Sequence, residues 1–288
     1  MTHELTQTPP TEGELKKHCI QLGEHLYVKP GQELELEPIV DREKRDVQIV
    51  FLMGGGGTRL LHITKDRFSK HMIRVNGQPL SRYTYDLWRN QGFDRFCFLI
   101  DDSHRGKSIS DYYGDGKKFG AQIEYSVEHG KLGSGGAMRQ AIVDGKIRSS
   151  FVNHQPDDVI VGYENFPSDF FSVFKAAEKQ GYQIVTLCVP GTLYSYGEVY
   201  DEGGKVKDFI EKPFIRKDTN TGITGISREA FHMIEEIEEG KEVKIERTVY
   251  KTVARSGRMF KVLIPCEYWI PVNDDLTLKK LRESIRKV

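Results

Sequence analysis

The chain has 288 residues, 38% hydrophobic and 10% aromatic, which is enough apolar material for a substantial core and argues against a disordered chain. Its 42 basic and 42 acidic residues give a formal net charge of zero. No global positive field therefore points to nucleic acid, and an anion site has to come from the local placement of charge.

The four cysteines lie far apart and form no CxxC pair, which favours reduced thiols in a cytoplasmic protein. The first residues, MTHELTQTPPTEGELKKHCI, lack the basic start and apolar run of a signal peptide. No apolar stretch approaches the ~20 residues that span a bilayer. We therefore expect a cytoplasmic protein with no membrane partner.

Residues 1–46 differ in composition from the rest, and we predict that they form an N-terminal extension packed on a catalytic domain of residues 47–288. Within the extension, LYVKPGQELELEP alternates apolar and charged residues, as an exposed strand or arm would. DREKRD, residues 41–46, makes a charged junction between the two parts.

From Val47 onward, apolar runs alternate with amphipathic segments. In chain order these predict the strand VQIVFLM, the helix PLSRYTYDLWRNQG, the strand FCFLI, the short helix and turn ISDYYGDGKKFG, the strand AQIEYSV, the helix GSGGAMRQAIV, the strand DDVIVG, the helix SDFFSVFKAAEKQG and the strand YQIVTLCVP. Such alternation predicts right-handed βαβ units and an α/β fold with a mostly parallel sheet. Ligands of such sheets bind at the carboxyl ends of the strands.

Four consecutive glycines, Gly54–Gly57, follow the first of these strands and predict a cradle for phosphate, because their N–H groups can turn toward a closely approaching oxygen. Two familiar cradles are excluded by spacing. A P-loop needs Lys-Ser/Thr where Thr58-Arg59 stand, and a dinucleotide fingerprint needs glycine at the position of Arg59. The alternative is a glycine-rich turn without a ligand, although Arg59 is well placed for bidentate phosphate contacts.

GGGGTRL resembles the GGxGTRL signature of the sugar-1-phosphate nucleotidylyltransferases, and Lys70 resembles the lysine that follows it, with Ser69 in place of proline. The resemblance continues in order through DYYGDGKKFGAQIEYSVE, LGSGGAM, YGEVYDEGGKVKDFIEKP, NTGITGISREAF, IERTVYKTVARSGRMFKV and YWIPVNDDLTLKKL. It covers about residues 47–285, and variants similar to mannose-1-phosphate guanylyltransferases are closest. It implies a Rossmann-like three-layer sandwich of the nucleotide-diphospho-sugar transferase type, Mg²⁺ as cofactor and a homo-oligomeric assembly.

The resemblance also implies roles for individual residues. The catalytic residues would be Arg59 and Lys70, with Lys70 at the α-phosphate. The nucleotide-binding residues would be Gly54, Gly55, Gly56, Gly57 and Thr58 at the triphosphate, and Leu132, Gly133 and Gly135 at the base. The sugar-phosphate site would be lined by Gly197, Glu211, Lys212, Asn220 and Gly222. For each position the alternative is structural: a turn, a close-packed helix start, a solvated lysine or an exposed ion pair.

The metal site is where the sequence departs from the family pattern, which has one aspartate after the central strand and another in W.DVGT. In DDVIVGYENF, one alignment register makes Glu164 the metal ligand, and another register puts Tyr163 at the ligand position. In WIPVNDD, Pro271 stands where the family has the aspartate, and Asp274 is the nearest downstream carboxylate. We predict Glu164 and Asp274 as metal ligands, although an ordinary surface carboxylate is an equal alternative for each. Further candidates end another predicted strand, at Asp101 and Asp102.

By resemblance, the function is condensation of an NTP with a sugar 1-phosphate to give an NDP-sugar and pyrophosphate, with GTP and a mannose- or heptose-type sugar favoured. Two alternatives stay open. One is a catalytically impaired homologue that acts as a nucleotide-sugar binding or regulatory subunit, suggested by Tyr163, Glu164 and Pro271. The other is a CTP-dependent enzyme that acts on a phosphorylated alcohol or sugar.

Overall fold

The computed structural model describes residues 8–194 and 196–285. The strands are β1 Ile20–Leu22, β2 Leu26–Val28, β3 Gln48–Leu52, β4 Arg74–Val75, β5 Gln78–Pro79, β6 Arg95–Asp101, β7 Gln122–Glu128, β8 Phe151–His154, β9 Asp158–Ile160, β10 Ile184–Val189, β11 Thr192–Leu193, β12 Glu198–Glu202, β13 Lys205–Ile210, β14 Phe214–Ile215, β15 Thr219–Ile226, β16 Met259–Leu263 and β17 Trp269–Pro271. The helices are α1 Glu12–His18, α2 Asp41–Asp46, α3 Leu61–Thr64, α4 Leu80–Asn90, α5 His104–Tyr113, α6 Gly133–Val143, α7 Phe166–Lys179, α8 Phe231–Glu235, α9 Val249–Arg255 and α10 Asp275–Ile285.

A nine-stranded sheet in the order β1-β2-β16-β10-β15-β8-β3-β6-β7 forms the centre of the molecule. The strands β8, β3, β6 and β7 are parallel, and β10 is parallel to β16. Strand β15 runs antiparallel to both of its neighbours, β10 and β8. The predicted α/β fold with a mostly parallel central sheet is confirmed.

Alternation of side chains along β3 builds the three layers. Ile49 and Phe51 belong to the hydrophobic cluster on one face of the sheet, with Trp88 of α4. Val50 points the other way and belongs to a second cluster, with Met138 of α6. Because successive residues of a strand face opposite sides, these buried runs require helices on both faces.

The N-terminal segment is more closely integrated than the sequence predicted. Strand β2 is completely buried, not exposed, and it pairs with β16 through Tyr27 and Leu263. Leu22, Leu26 and Val28 lie in the main hydrophobic cluster. The charged junction, residues 41–46, is the short helix α2. The exposed-arm interpretation was wrong for residues 26–28, whose apolar side chains complete the sheet edge, whereas most of residues 29–38 are exposed or partly exposed.

The prediction that DDVIVG is a central strand was also wrong. Its first residues form β9, which pairs with β17 outside the nine-stranded sheet. The central strand is β8, whose sequence FVNH carries two buried polar residues. Both have distant hydrogen-bond partners: the Trp88 indole donates to Nδ1 of His154 over 2.9 Å, and Nδ2 of Asn153 donates to the carbonyl of Gly222 over 3.1 Å, whereas Oδ1 of Asn153 has no partner among the described residues.

Within residues 8–194 and 196–285, no helix is long and apolar enough to cross a bilayer.

Gly106 gives a stability test of the packing of α5 on the end of β6. A side-chain carbon at Gly106 would lie 1.8 Å from the carbonyl oxygen of Asp101. We expect Gly106→Ala to lower the free energy of unfolding by at least about 1–3 kcal/mol, the usual cost of overpacking, in urea denaturation.

The matched control is Gly13→Ala in α1, where the added carbon would meet only Thr11 Oγ1 at 3.8 Å. We expect this change to raise the free energy of unfolding by about 0.5–1 kcal/mol, since alanine is the better helix former. Equal stability of Gly106→Ala and the parent chain would contradict the packing described for α5.

Candidate active site

The glycine loop leaves the carboxyl end of β3 with its backbone exposed. Gly55 and Gly57 have φ angles of 98° and 52°, in the left-handed region that favours glycine. A side-chain carbon on Gly55 would meet no heavy atom of the described chain within 4 Å. The N–H groups of this loop are therefore accessible to an oxygen-rich ligand.

Lys70 lies directly against this loop. A side-chain carbon on Gly57 would lie 3.1 Å from Cβ of Lys70, so the loop packs along the lysine stem. The lysine ammonium forms an ion pair with Oδ2 of Asp157; the Lys70 side chain is 20% exposed and the Asp157 side chain 5% exposed. The structure thus brings together the predicted glycines and the predicted lysine.

Asp157 is the anionic centre of a buried cluster that the sequence did not predict. Nε2 of His71 lies 3.4 Å from Oδ1 of Asp157, and neither atom has a hydrogen-bond partner among the described residues. Oγ of Ser69 lies 3.0 Å from the other ring nitrogen of His71. Burial raises the pKa of Asp157, but the positive charge of Lys70 outweighs it, with a smaller contribution from the nearby His71 imidazole, and the pKa falls below its ordinary value.

His71 is held in its neutral form by the same surroundings. Burial lowers the pKa of this imidazole, and the opposing effect of the Asp157 carboxylate is smaller. The cluster therefore consists of a buried ion pair, Lys70–Asp157, with a neutral imidazole on the second carboxylate oxygen.

A second carboxylate, Asp158, follows at the start of β9. Its Oδ1 accepts a hydrogen bond of 3.1 Å from the indole of Trp269 on β17. Burial, with the negative charge of Asp157, raises its pKa well above the ordinary value. On its other side, a side-chain carbon on Gly222 would lie 2.8 Å from Oδ2 of Asp158.

Strand β15 therefore brings one predicted sugar-site residue, Gly222, against this carboxylate, and a second is bonded to Gly222. Asn220 lies two residues before Gly222, and its Oδ1 accepts hydrogen bonds from Thr186 Oγ1 at 3.0 Å and from the Gly222 N–H at 3.1 Å. Because β15 is antiparallel, its first half reaches the edge where β8 ends.

Arg59 extends from the exposed turn after the glycine loop, and its Nη2 donates a 3.0 Å hydrogen bond to Oδ1 of Asn273. His62, further along, lies 2.9 Å from Oδ1 of Asp275. These contacts attach the segment that follows the glycines to the residues that follow β17.

Glu128, the last residue of β7, lies against the first glycine of the loop. A side-chain carbon on Gly54 would lie 2.0 Å from its Oε1. Burial raises the pKa of Glu128 to about 7, and the negative charges of Asp101, Asp102 and Glu242 act in the same direction. A hydrogen bond from the Leu132 backbone lowers this pKa but does not outweigh them. The motif ending in EYSVE contained this residue, but its burial could not be read from the motif.

The predicted base loop lies at the start of α6 and is packed closely by other backbone. A side-chain carbon on Gly133 would lie 2.7 Å from the Val243 carbonyl oxygen. That oxygen accepts a 2.8 Å hydrogen bond from Gly135, and Val243 donates one of 2.8 Å to the carbonyl of Leu132. The missing side chains therefore serve close packing, and contact of these residues with a base stays a prediction.

The other predicted sugar-site residues lie on or beside a largely exposed hairpin, β12–β13. A side-chain carbon on Gly197 would lie 2.3 Å from the Phe209 ring. Glu211 and Lys212 are exposed, and Lys212 has a φ of 49°, which is uncommon outside glycine. In the described chain, no hydrogen bond or ion pair joins these residues to Asp157, so their roles stay predictions.

The two predicted metal ligands, Glu164 and Asp274, lie in local surroundings different from those of Asp157. Glu164 is exposed in the turn before α7. Asp274 precedes α10 and accepts a 2.9 Å hydrogen bond from the Thr277 N–H, as a helix cap does, and this bond lowers its pKa. Neither has a hydrogen bond or ion pair to Asp157 within residues 8–194 and 196–285, and their metal roles stay predictions.

Asp101, a further candidate, has its Oδ1 occupied by hydrogen bonds from the N–H groups of Ser103 at 3.0 Å and Gly106 at 3.3 Å. Asp102 is exposed, and its Oδ2 lies 3.0 Å from Nδ1 of His129.

The acids that follow the central strand are instead Asp157 and Asp158. The sequence pattern missed them because it placed the start of the strand there.

A family model described as Nucleotidyl transferase matches residues 48–272. The chain belongs to this family. Strand β3, the glycine loop, the Lys70–Asp157 cluster and β17 all lie within the matched span, and the predicted family resemblance is confirmed.

Among curated relatives, the chain is 29% identical over 236 residues to a UTP–glucose-1-phosphate uridylyltransferase of Synechocystis sp., covering 78% of this chain and 60% of the relative. It is 29% identical over 214 residues to a mannose-1-phosphate guanylyltransferase of Mycobacterium tuberculosis, covering 73% of this chain and 56% of the relative. The chain thus spans less than two thirds of the length of these relatives.

Two solved structures show the same fold. A UDP-glucose pyrophosphorylase complexed with UDP-glucose superposes with a TM-score of 0.61 at 18% identity, covering 84% of this chain and 98% of that one. An inositol-1-phosphate CTP transferase from T. maritima superposes with a TM-score of 0.59 at 15% identity, covering 83% of this chain and 95% of that one. The predicted three-layer nucleotide-diphospho-sugar transferase fold is confirmed.

Glu128 predicts a pH dependence of stability. Its folded pKa of about 7 lies above the unfolded value of about 4.3, so the folded chain binds more protons between these values. This carboxyl therefore lowers the free energy of unfolding as pH rises through that window. Glu128→Gln removes the effect, and we expect the stability of the variant relative to the parent to increase from pH 4 to pH 8 in urea denaturation.

The control is Glu229→Gln, which changes an exposed carboxyl at the start of a short turn of helix. Its stability relative to the parent should not vary in the same way with pH. A pH-independent difference between Glu128→Gln and the parent would contradict the buried position of Glu128.

Proposed function

We propose that the chain catalyses attack by a sugar 1-phosphate oxygen on the α-phosphorus of an NTP, giving an NDP-sugar and pyrophosphate. The observation that carries the proposal is Lys70, which packs against the open glycine loop and ends in the buried Asp157 carboxylate. Family membership supports this choice of reaction, since relatives carry nucleotidyltransferase names.

Different residues of the site would neutralise different parts of the phosphate charge. The N–H groups of Gly54–Gly57 and the exposed guanidinium of Arg59 would bind the triphosphate. Lys70 would neutralise charge at the α-phosphate, where charge moves during transfer. Asp157 fixes the direction of the lysine before the nucleotide arrives, so little reorganisation is needed in the reacting complex.

The acids at this edge also fit a magnesium ion. Oδ1 of Asp157 is buried and without a hydrogen-bond partner among the described residues, and carboxylate oxygens are ligands that Mg²⁺ prefers. Asp157 and Asp158 would hold the ion with phosphate oxygens, because Mg²⁺ commonly takes only one or two protein carboxylates at such sites. When bound, the ion would supply further neutralisation of phosphate charge. Within the described ranges, no group of three or more potential ligand side chains occurs.

The sugar phosphate would bind on the β15 side of the cluster. Gly222 lies beside Asp158 and donates its N–H to Asn220, and the chain that leads into β15 carries Glu211 and Lys212. We propose that these residues, with Gly197, bind the sugar and its phosphate. The positive φ of Lys212 supports a functional role, because strained backbone tends to cluster at ligand sites.

For the nucleotide, we propose GTP with a mannose- or heptose-type sugar phosphate. Relatives named mannose-1-phosphate guanylyltransferase and D-glycero-alpha-D-manno-heptose 1-phosphate guanylyltransferase support this choice. Other relatives are named for UTP or thymidylyl transfer, and the solved CTP transferase shares the fold. The assay therefore pairs each NTP with several sugar phosphates and includes a phosphorylated alcohol.

A second candidate is a homologue that binds nucleotide sugars without turnover. The observation in its favour is Pro271, which pairs with Asp158 across β9 and β17 and supplies no carboxylate beside it. Nucleotide binding in a thermal-shift screen with Mg²⁺, together with no pyrophosphate release for any substrate pair, would select this candidate over the enzyme.

We expect Lys70→Ala and Arg59→Ala each to lower kcat by about 10²–10³-fold, because each removes a group that stabilises phosphate charge. Pyrophosphate release with the best substrate pair measures the effect. Lys70→Ala also leaves Asp157 buried without its ion pair, so its thermal unfolding midpoint is recorded alongside. Arg59 is exposed, so the fold should tolerate its replacement.

The control is Lys251→Ala, which removes an exposed lysine of α9. Its kcat should equal that of the parent. Undiminished turnover in both Lys70→Ala and Arg59→Ala would show that the loop at Gly54–Gly57 is not the triphosphate site.

A further inference from the structure

The N-terminal segment reaches the strand that carries Trp269. Strands β1 and β2 form a hairpin that contains His25 in its turn, and the side chain of His25 is 18% exposed. Its ring stacks on Tyr268 with centroids 4.4 Å apart and meets Tyr163 edge-on at 4.9 Å. One histidine of the segment is thus enclosed by residues that precede α7 and β17.

Both ring nitrogens of His25 are engaged. Nδ1 lies 2.8 Å from Oε1 of Glu12 in α1, and Nε2 lies 3.2 Å from the hydroxyl of Tyr268. Because a carboxylate only accepts, Nδ1–H donates to Glu12, and in the neutral ring Nε2 accepts from the tyrosine hydroxyl. Glu12 also accepts a hydrogen bond from Tyr27 in β2, which fixes the carboxylate to the large sheet.

Tyr268 passes this constraint to the candidate site through the backbone. The Tyr268 carbonyl accepts a 2.9 Å hydrogen bond from the N–H of Val161, the residue just after β9. Trp269 directly follows Tyr268 in the chain. The Trp269 indole donates to Asp158, and the carbonyl of Asp157 accepts a 2.8 Å hydrogen bond from Val272. Every step from Glu12 to the two aspartates is therefore a direct contact.

We propose that His25 is a positioning residue for the candidate active site: it fixes Tyr268, and through β17 it sets the hydrogen bond from Trp269 to Asp158. The N-terminal segment then contributes directly to the geometry of the site. The consequence for catalysis rests on the function proposed above, whereas the positioning of Trp269 does not.

A second set of contacts holds the segment from the other side. Asp169 in α7 accepts a 2.8 Å hydrogen bond from the N–H of Glu24 and another from the hydroxyl of Tyr163. The backbone N–H groups of Glu24 and His25 are therefore both bound to the chain around α7, since the His25 N–H also contacts the Tyr163 hydroxyl at 3.3 Å. Loss of the imidazole would leave these contacts in place, which isolates the effect of the ring.

The test uses the two tryptophans of the chain, Trp88 and Trp269, as internal reporters. Each indole N–H is hydrogen-bonded, the first to His154 in the core and the second to Asp158. Labelling of the indole nitrogen gives one NMR signal from each, and Trp269→Phe assigns them. We expect His25→Ala to shift the Trp269 signal and speed exchange of its proton with solvent, while the Trp88 signal stays in place.

Two further variants sharpen the result. Tyr268→Phe removes only the hydroxyl that faces His25, so it should shift the same signal without a cavity, even if His25→Ala fails to fold. His18→Ala removes another histidine of the segment, one exposed at the end of α1, and should shift neither signal. An unmoved Trp269 signal in both folded His25→Ala and Tyr268→Phe would overturn the proposal.

Kinetics provide the catalytic readout. Since a displacement of about 1 Å can cost about 10²-fold in rate, we expect His25→Ala to lower kcat by at least about 10-fold. His18→Ala should keep the parent rate. If Trp269 shifts in His25→Ala but kcat is unchanged, the catalytic part of the proposal fails. If the parent chain turns over no substrate pair, the proposed function fails, and the NMR signals still decide whether His25 positions Trp269.

Discussion

The buried ion pair between Lys70 and Asp157 is the interaction on which the arrangement of the site depends. Removing two charges from water is costly unless each has a partner held in good geometry, so both side chains have to be placed by rigid surroundings. Lys70 is placed by the glycine loop, along which its stem packs. Asp157 is placed by the short connection between β8 and β9, with His71 facing its second oxygen. The glycine loop and the nearby segment of Lys70 and His71 therefore have to meet the distant Asp157 at one point before the charges can be buried. The same convergence leaves the lysine at the edge of the sheet beside an exposed run of backbone N–H groups.

Much of the fold and half of this site could be predicted from the sequence. The apolar run of β3, the glycines behind it and most of the βα alternation are local patterns that produced the elements they predicted, whereas DDVIVG did not give a strand of the central sheet. Lys70 and Arg59 could be selected because they follow the glycines at short separation. Asp157 and Asp158 could not. They follow β8, a strand of four residues in which Asn153 and His154 are buried and polar. Asn153 bonds the Gly222 carbonyl and His154 accepts from the Trp88 indole, partners that lie 69 and 66 positions away, so no local pattern marks the strand as part of the core.

The glycines of the chain show why a motif alone does not assign a role. Gly55 has open space where a side chain would project, which is the property expected of a contact with ligand. Gly133 and Gly135 have the same residue type in an equally suggestive motif, yet the carbonyl of Val243 occupies the space beside both. In each case the sequence shows only that the residue has no side chain. Only the neighbours, which come from another part of the chain, distinguish an open surface from a close packing contact.

Strand β15 is the reversed member of an otherwise parallel run between β7 and β10, and its direction has a consequence for how such a protein can change during evolution. Parallel strands present only their final residues to the binding edge, and the chain leaving each of them must turn back across the sheet. A reversed strand presents its first residues, so the chain that precedes it, here β11 to β14, can vary in length and sequence while Asn220 keeps its pairing with Cys188 of β10. Under the function proposed above, the part that would meet the sugar could be exchanged without disturbing the glycine loop and Lys70, which would let related chains diversify in sugar choice while keeping a common chemistry.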